Sequence, residues 1–481
     1  MVEESQVISR YKAAGQEHVL RHLGTLSVGE KEKFLKQLDS IKVEELSGLL
    51  ESALAGQKED DKNDIHNITP FSKHVGRTTD QAYSVSYEKG MEVIARSEVA
   101  ALVLAGGQGT RLGFDGPKGM YDIGLPSGRG RTLFQILAER LKKLQEIASD
   151  HNIQDSSPGS KTLCTCPFYI MTSPINHEQT ITYFKENNYF ELPEDNVRFF
   201  QQGMLPCMTI EGKIIMETAS KIAMAPDGNG GIYPSLQNSG MFDEMTDRGI
   251  KYLHVFSIDN ALTKIADPAF IGYCIKQNSD CGNKVVWKTG PHEKVGVIAE
   301  KAGKPCIVEY SEITPQMSER TDADGRLVFG AGNICNHFYT LDFLRDKVMP
   351  NLANLYHIAR KKIPYYDKAT KTTIKPEVNN GIKLESFIFD IFPLSERMGV
   401  LDALRDQEFA PVKNAPGSLS DSPDTARAYL SKQAQQWVVD AGGILTGDLD
   451  TLCEISPLTS YGGEGLEEIV QGKDIHCPFS F

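Results

Sequence analysis

Val99-Ala100-Ala101-Leu102-Val103-Leu104 runs into Ala105-Gly106-Gly107-Gln108-Gly109-Thr110-Arg111-Leu112-Gly113, and Pro117-Lys118-Gly119 follows. The apolar run is far shorter than the roughly 20 residues of a membrane helix, and its unbroken Val, Ala and Leu content predicts a strand buried on both faces of a parallel sheet. The loop then leaves the carboxyl edge of that sheet, where open α/β folds hold their ligands. Glycines let the main chain approach a nucleotide and turn N–H groups toward phosphate oxygens, while Arg111 and Lys118 add charge that neutralises a polyphosphate. No Gly-Lys pair is followed by Ser or Thr, which excludes a P-loop, and Leu112 stands where a dinucleotide fingerprint needs glycine. The four glycines of Leu104 to Gly113, with an arginine among them and a Pro-Lys pair within the same fifteen positions, exceed what a turn alone requires.

Outward from this loop, apolar runs alternate with helical patterns. Thr132 opens a helix with Gln135 as its capping-box partner and Leu133, Leu137, Leu141 and Leu144 facing inward. A strand at Phe168 to Met171, a helix near Glu178 to Lys185 and a strand at Val197 to Gln201 follow. A single helix near Leu236 to Arg248 and a strand from Tyr252 to Ile258 continue the alternation, which predicts an open α/β sheet. Beyond Val285 shorter runs (Val295 to Ala299, Cys306 to Tyr310, Leu327 to Phe329) read as added antiparallel strands. Upstream, Ser27 and Glu30 stand at capping-box spacing before Phe34, Leu35, Leu38 and Ile41, and Leu46, Leu49, Leu50 and Leu54 extend a helical N-terminal region. The polar stretch Gln57 to Asn67 reads as a surface connection, and Asn414 to Pro423 leads into a last helix and a small C-terminal region.

The chain has 481 residues, 40% hydrophobic and 24% charged, which fits a soluble globular protein of two or three domains. Its 64 acidic against 51 basic residues give a formal charge of −13, which argues against a general affinity for nucleic acid or anionic membrane. Neither a secretory h-region nor a C-terminal sorting signal is evident, so the expected compartment is the cytosol. Nine scattered cysteines then read as reduced thiols, the Cys164 and Cys166 pair included. His18 and His22 lie four apart without a third ligand, and a solvated helix face explains them better than a metal.

The glycine loop, with Pro117-Lys118-Gly119-Met120-Tyr121-Asp122, resembles the eukaryotic UDP-N-acetylglucosamine pyrophosphorylases. The likeness continues through Phe199 to Pro206, Ala225 to Gly231, Asp259-Asn260, Val308 to Glu312, Gly332-Asn333, Phe387 to Phe392, Lys413-Asn414-Ala415 and Cys453 to Leu458, in family order over nearly the whole chain. It implies a Rossmann-like α/β nucleotidyltransferase with an open mixed sheet flanked by helices. Domain boundaries are expected at 1–95 (helical), 96–400 (catalytic) and 401–481 (C-terminal).

The implied reaction joins UTP and N-acetylglucosamine 1-phosphate into UDP-N-acetylglucosamine and pyrophosphate, with N-acetylgalactosamine 1-phosphate as a second candidate substrate. The resemblance assigns Arg111 and Lys118 to the β- and γ-phosphates, and Lys383 and Lys413 to the sugar phosphate and α-phosphate. Asp259, at the end of an apolar strand, is the expected carboxylate for Mg²⁺ or Mn²⁺. Leu104, Ala105, Gly106, Gly107, Gln202 and Gly228 would read uracil, and Asn229, Gly296, Glu309 and Asn333 the sugar. Phe387 and Phe389, alternating to one strand face, would wall the N-acetyl group. Members of the family tend to carry an acidic residue where Lys288-Thr289 stand and a basic one at Pro234. The oligomer is left between monomer and homodimer. A UDP-glucose or broad-specificity pyrophosphorylase is the nearest rival, and a sensor of UDP-sugars without turnover is a rival of another class. The Arg-Leu-Gly continuation of the loop speaks against the first, and the intact cations against the second.

Overall fold

The computed structural model describes residues 3–62, 67–73, 75–127, 131–153 and 163–481. Contacts divide the chain into two compact units: Met1–Asn67, Gln202–Ser235 and Val348–Ile391 form the first, and Ile68–Gln201, Leu236–Lys347 and Phe392–Phe481 the second.

The second unit holds an 11-stranded mixed sheet. Its main path uses β1 (Val75–Arg77), β2 (Val99–Leu104), β3 (Phe168–Thr172), β4 (Val197–Gln201), β5 (Tyr252–Ser257), β6 (Cys281–Trp287), β7 (Ala331–Thr340) and β8 (Met398–Ala403), in the spatial order β1-β8-β6-β7-β5-β2-β3-β4. Strands β5, β2, β3 and β4 are mutually parallel, and β7 runs antiparallel to both β5 and β6. Every residue of β2 and β3 is buried, as unbroken apolar strands between two helical layers should be. Helix Leu133–Ile153 contributes Phe134, Leu137 and Leu141 to the core that joins Ala101, Val103, Ile170 and Phe256. The Thr132 hydroxyl caps that helix by accepting from Gln135 N, but the Gln135 side chain turns to Glu139, so only half of the expected box forms.

Strands Val297–Lys301 and Lys304–Val308 extend the sheet antiparallel beside β7, as the shorter runs predicted, whereas Leu327 to Phe329 make only an isolated bridge and a turn. The single helix expected over Leu236 to Arg248 is two, Ile232–Asn238 and Met241–Asp247, because Gly240 takes φ +74° between them. Helix Pro423–Asp440 starts at a Ser422–Thr425 capping box and packs on a small separate core around Val438, Leu466 and Val470. No helix among the described residues is long and apolar enough to cross a membrane.

In the first unit, helices Glu4–Ala13, Val28–Ser40 and Leu46–Lys62 pack Tyr11, Phe34, Leu38 and Leu50 against Ile214, Ile222, Ile382 and Leu384. The Ser27–Glu30 box forms in full. The last helix runs on to Lys62, so half of the polar stretch expected to be a connection is helical, and residues 63–66 lie outside the described residues. His18 and His22 are not on a solvated helix face: His18 Nε2 lies 2.8 Å from the Ile214 carbonyl, and the His22 ring packs edge-on to Tyr366. All nine cysteines are free thiols.

Candidate active site

The glycine loop leaves the carboxyl end of β2 and is fixed by its own main chain. Ala105 N donates to Met171 O (2.8 Å), Gly109 N to Gly116 O (2.8 Å) and Lys118 N to Gly107 O (3.0 Å). A second clamp comes from Asn176, a fully buried side chain just ahead of helix His177–Glu186. Its Nδ2 donates to the carbonyls of Ala105 (3.0 Å) and Gly107 (3.3 Å), while its Oδ1 accepts from Ser173 N and Oγ. Asn176 was not singled out from sequence; its signal was a Ser-x-x-Asn step between a buried strand and a helix.

Around this loop the second unit gathers charge. Lys118 is half-buried, and burial pulls its ammonium below the ordinary lysine value; Asp259 opposes that shift, and Lys413 and Arg111 reinforce it. Lys413 Nζ stands 4.0 Å from Asp259 Oδ2, and Val412 N donates to Asp259 O at 2.8 Å. Arg111, Lys413 and Asp259 thus all act on Lys118 at the loop end of the parallel strands, a cluster with a cationic excess suited to a bound polyanion. Among the described residues no group of three or more His, Cys, Asp and Glu could hold a metal by itself. A lone Asp259 suits Mg²⁺, which takes one or two carboxylates and fills its shell with phosphate oxygens and water.

Gly296, Glu309 and Asn333 also come together in the second unit. Asn333 N donates to Gly296 O at 2.8 Å, and a Cβ at Gly296 would lie 3.0 Å from Glu309 Oε1. Burial, with Glu312 nearby, raises the Glu309 carboxyl above its ordinary value. Asn333 lies where β7 shifts register against β6, a bulge of the kind that re-aims side chains next to active sites. Lys288 turns inward to donate to Pro291 O at 2.8 Å.

The remaining sequence-predicted residues belong to the first unit. Gln202 Nε2 donates to Gly228 O at 2.6 Å, and Asn229 Oδ1 accepts from Ile388 N at 3.0 Å. Gly228 has φ +86°, and a Cβ there would meet Ser386 O at 2.1 Å, so only glycine fits this turn. Asp227 beside it is buried, which pushes its carboxyl up to about 6 despite a hydrogen bond from Gln202. Neither Asp227 nor Ser386, whose N–H donates to Asp227 O at 2.8 Å, was singled out from sequence. Lys383 lies on strand Gly381–Glu385, opposite Ala359. Phe387 and Phe389 stack at 5.3 Å with planes 10° apart, yet they do not alternate along a strand: Phe387 precedes and Phe389 sits in the 3₁₀ turn Ile388–Leu394, where threefold winding replaces the twofold pleat.

A family model described as UTP–glucose-1-phosphate uridylyltransferase matches residues 44–453. The chain is 41% identical to UDP-N-acetylhexosamine pyrophosphorylase-like protein 1 of Mus musculus, over 100% of this chain and 97% of that one. It is 40% identical to the UDP-N-acetylglucosamine pyrophosphorylase of Saccharomyces cerevisiae, over 96% of each. Among solved structures, the uridine diphosphate N-acetylglucosamine pyrophosphorylase of Trypanosoma brucei, crystallised with an inhibitor, superposes with a TM-score of 0.83 at 31% identity, covering 98% of this chain and 95% of that one.

Proposed function

The chain belongs to the UTP–glucose-1-phosphate uridylyltransferase family, among its UDP-N-acetylhexosamine pyrophosphorylases, and from that premise we infer that it is a nucleotidyltransferase making UDP-N-acetylglucosamine and pyrophosphate from UTP and N-acetylglucosamine 1-phosphate. The observation that carries the reading is the cluster in which Arg111, Lys413 and Asp259 act on Lys118 at the mouth of the glycine loop.

The attacking sugar phosphate has a second pKa near ~6, so at neutral pH it is mostly dianionic and needs no base. Its oxygen bonds to the α-phosphorus as the bond from that phosphorus to the β-bridging oxygen breaks, and the electron pair leaves with pyrophosphate. Catalysis is then a matter of alignment and of offsetting charge on the departing group. We assign Arg111 and Lys118 to the leaving β- and γ-phosphates, and Lys413 and Lys383 to the sugar phosphate and the α-phosphate. Half-burial of Lys118 supports its part, since an ammonium out of water acts on a phosphate with less screening.

A nucleotidyltransferase of this kind generally works with a divalent cation, and we assign Mg²⁺, or Mn²⁺ in its place, to Asp259. Bound there it would neutralise phosphate oxygens as a Lewis acid. For uracil we assign the main chain of Leu104 to Gly107, together with Gln202 and Gly228. Asn229, Gly296, Glu309 and Asn333 are assigned to the sugar hydroxyls, for which an amide and a carboxylate offer donors and acceptors. The stacked Phe387 and Phe389 are assigned to the N-acetyl group.

The test is pyrophosphate release from UTP and Mg²⁺ with N-acetylglucosamine, N-acetylgalactosamine or glucose 1-phosphate at matched concentrations. Turnover confined to the N-acetylated sugars is expected. Faster turnover with glucose 1-phosphate would replace this reading by a UDP-glucose pyrophosphorylase, and none with any of the three by a UDP-sugar sensor.

A further inference from the structure

The mechanism leaves unused a group of charges centred on a buried lysine of the second unit. Lys284, on β6, is fully buried, with its ammonium 2.6 Å from Asp267 and 3.0 Å from Glu408, and Lys264 reaches the other oxygen of Glu408 at 3.3 Å. Such a group is a weak source of stability, because desolvating the charges costs about what their attraction returns, and well-packed apolar residues often serve as well. What it does provide is a fixed place for the chain that carries it. Glu408 starts the segment that ends at Lys413.

Asn260, itself buried, laces that segment to the turn after β5. Its Nδ2 donates to Glu408 O at 2.7 Å, and its Oδ1 accepts from Ala410 N at 2.9 Å and from Leu262 N at 3.2 Å. Main-chain bonds from Ala261 N to Ala410 O (3.2 Å) and from Val412 N to Asp259 O (2.8 Å) continue the lacing. From the other side of the turn, the buried Arg140 guanidinium donates to the carbonyls of Ala261 and Thr263, both at 2.8 Å. The turn opens with Asp259 and the laced segment closes with Lys413, so the same bonds that join Asn260 to Glu408 and Ala410 set the spacing between the two.

We propose that Asn260 is a positioning residue for uridylyl transfer: its amide locks the Glu408–Lys413 segment, anchored by the Lys284–Glu408 ion pair, against the Asp259 turn and thereby aims the Lys413 ammonium at the reacting phosphates. This rests on the role assigned to Lys413 above. An amide is the side chain the place requires. A carboxylate would set an acceptor against the Glu408 carbonyl, and a hydroxyl is too short to reach both Glu408 O and Ala410 N.

The experiment is a double-mutant cycle on kcat in the full-length enzyme, with folded protein quantified by thermal denaturation. Asn260→Ala is expected to lower kcat about tenfold or more, since misplacement by about an ångström costs that much, while KM for UTP stays within about twofold. In a Lys413→Ala background the same substitution is expected to cost less than about twofold, because the group it positions is gone. An equal loss in both backgrounds, or a loss of folded protein with kcat per folded molecule unchanged, would overturn the proposal. If Asn260→Ala does not fold, Glu408→Gln loosens the anchor and should give a smaller kcat loss that also vanishes with Lys413→Ala; persistence there overturns it equally. Should wild type prefer glucose 1-phosphate, the sugar assignment fails while the cycle, run with that substrate, still decides the role of Asn260.

Discussion

Asn176 Nδ2 donates to the carbonyl oxygen of Ala105 at 3.0 Å, tying the entrance of a helix to the first residue of the glycine loop. A buried amide that spends its Nδ2 on the carbonyls of Ala105 and Gly107 shapes that loop without touching a ligand. Asn176→Ala should therefore lower stability by about 1–3 kcal/mol, the range for leaving buried polar groups unpaired. It should also raise KM for UTP more than KM for the sugar phosphate. Thermal denaturation and initial rates with each substrate varied check both.

Lys118 is assigned to the leaving pyrophosphate, where charge grows as the reaction proceeds. Lys118→Ala should cut kcat by about 10² to 10³, as loss of one preorganised donor does, and weaken UDP-N-acetylglucosamine binding far less. Calorimetric affinity beside kcat separates the two; equal losses would mean that Lys118 serves only to bind.

Asp259 acts on Lys118 and lies 4.0 Å from Lys413, so a divalent ion assigned to it should depend on its charge. Chelation with EDTA should abolish turnover and Mg²⁺ restore it. Asp259→Asn should raise the Mg²⁺ concentration for half-maximal rate by about tenfold, the cost of an altered metal ligand shell being of that order. An unchanged Mg²⁺ titration would remove Asp259 from the metal.

Burial pushes the Asp227 carboxyl up to about 6, above its value in an unfolded chain. Between about pH 4 and pH 6 the native state then holds a proton that the unfolded state has released, so stability falls as pH rises through that window and levels off above it. The drop amounts to about 2–3 kcal/mol. Asp227→Asn should flatten it, which denaturant unfolding at a series of pH values measures.

Gly228 combines φ +86° with a Cβ position 2.1 Å from Ser386 O. Gly228→Ala must displace the Asp227–Asn229 turn or the Ser386 main chain, at a cost of about 1–3 kcal/mol for the backbone conformation alone. Loss of UTP affinity is expected to accompany the loss of stability, whereas Gly107→Ala, whose Cβ meets nothing within 4 Å, should leave stability unchanged.

The reading of β2, β3, β4 and β5 from sequence matches the structure within a residue; β2 and β3 were the plainest, because strands buried on both faces have no alternation to confuse and end where the apolar run ends. The Leu236 to Arg248 stretch misled because its apolar period passes smoothly over Gly240, and periodicity does not register one left-handed residue. Phe387 and Phe389 misled in a related way, since spacing by two fits a strand face as well as it fits the 3₁₀ turn they occupy. Within the candidate site, charged residues and glycines were legible because their chemistry is local to the motif. Asn176, Asp227 and Asn260 act through main-chain bonds to residues 71, 159 and 148 positions away, and no local pattern records such partners.

The interleaving of the two units along the chain governs how the protein can be made. The first unit takes its last segment from Val348–Ile391, and the sheet of the second lacks the strand between β1 and β6 until Met398–Ala403 is available. A ribosome therefore delivers more than four-fifths of the 481 residues before either unit can close. Until then the β6 edge and β1 lack the strand that pairs them, as nascent segments whose partners come late must. No single cleavage releases one unit intact, and any stop codon upstream of Met398 yields a chain that cannot complete its sheet.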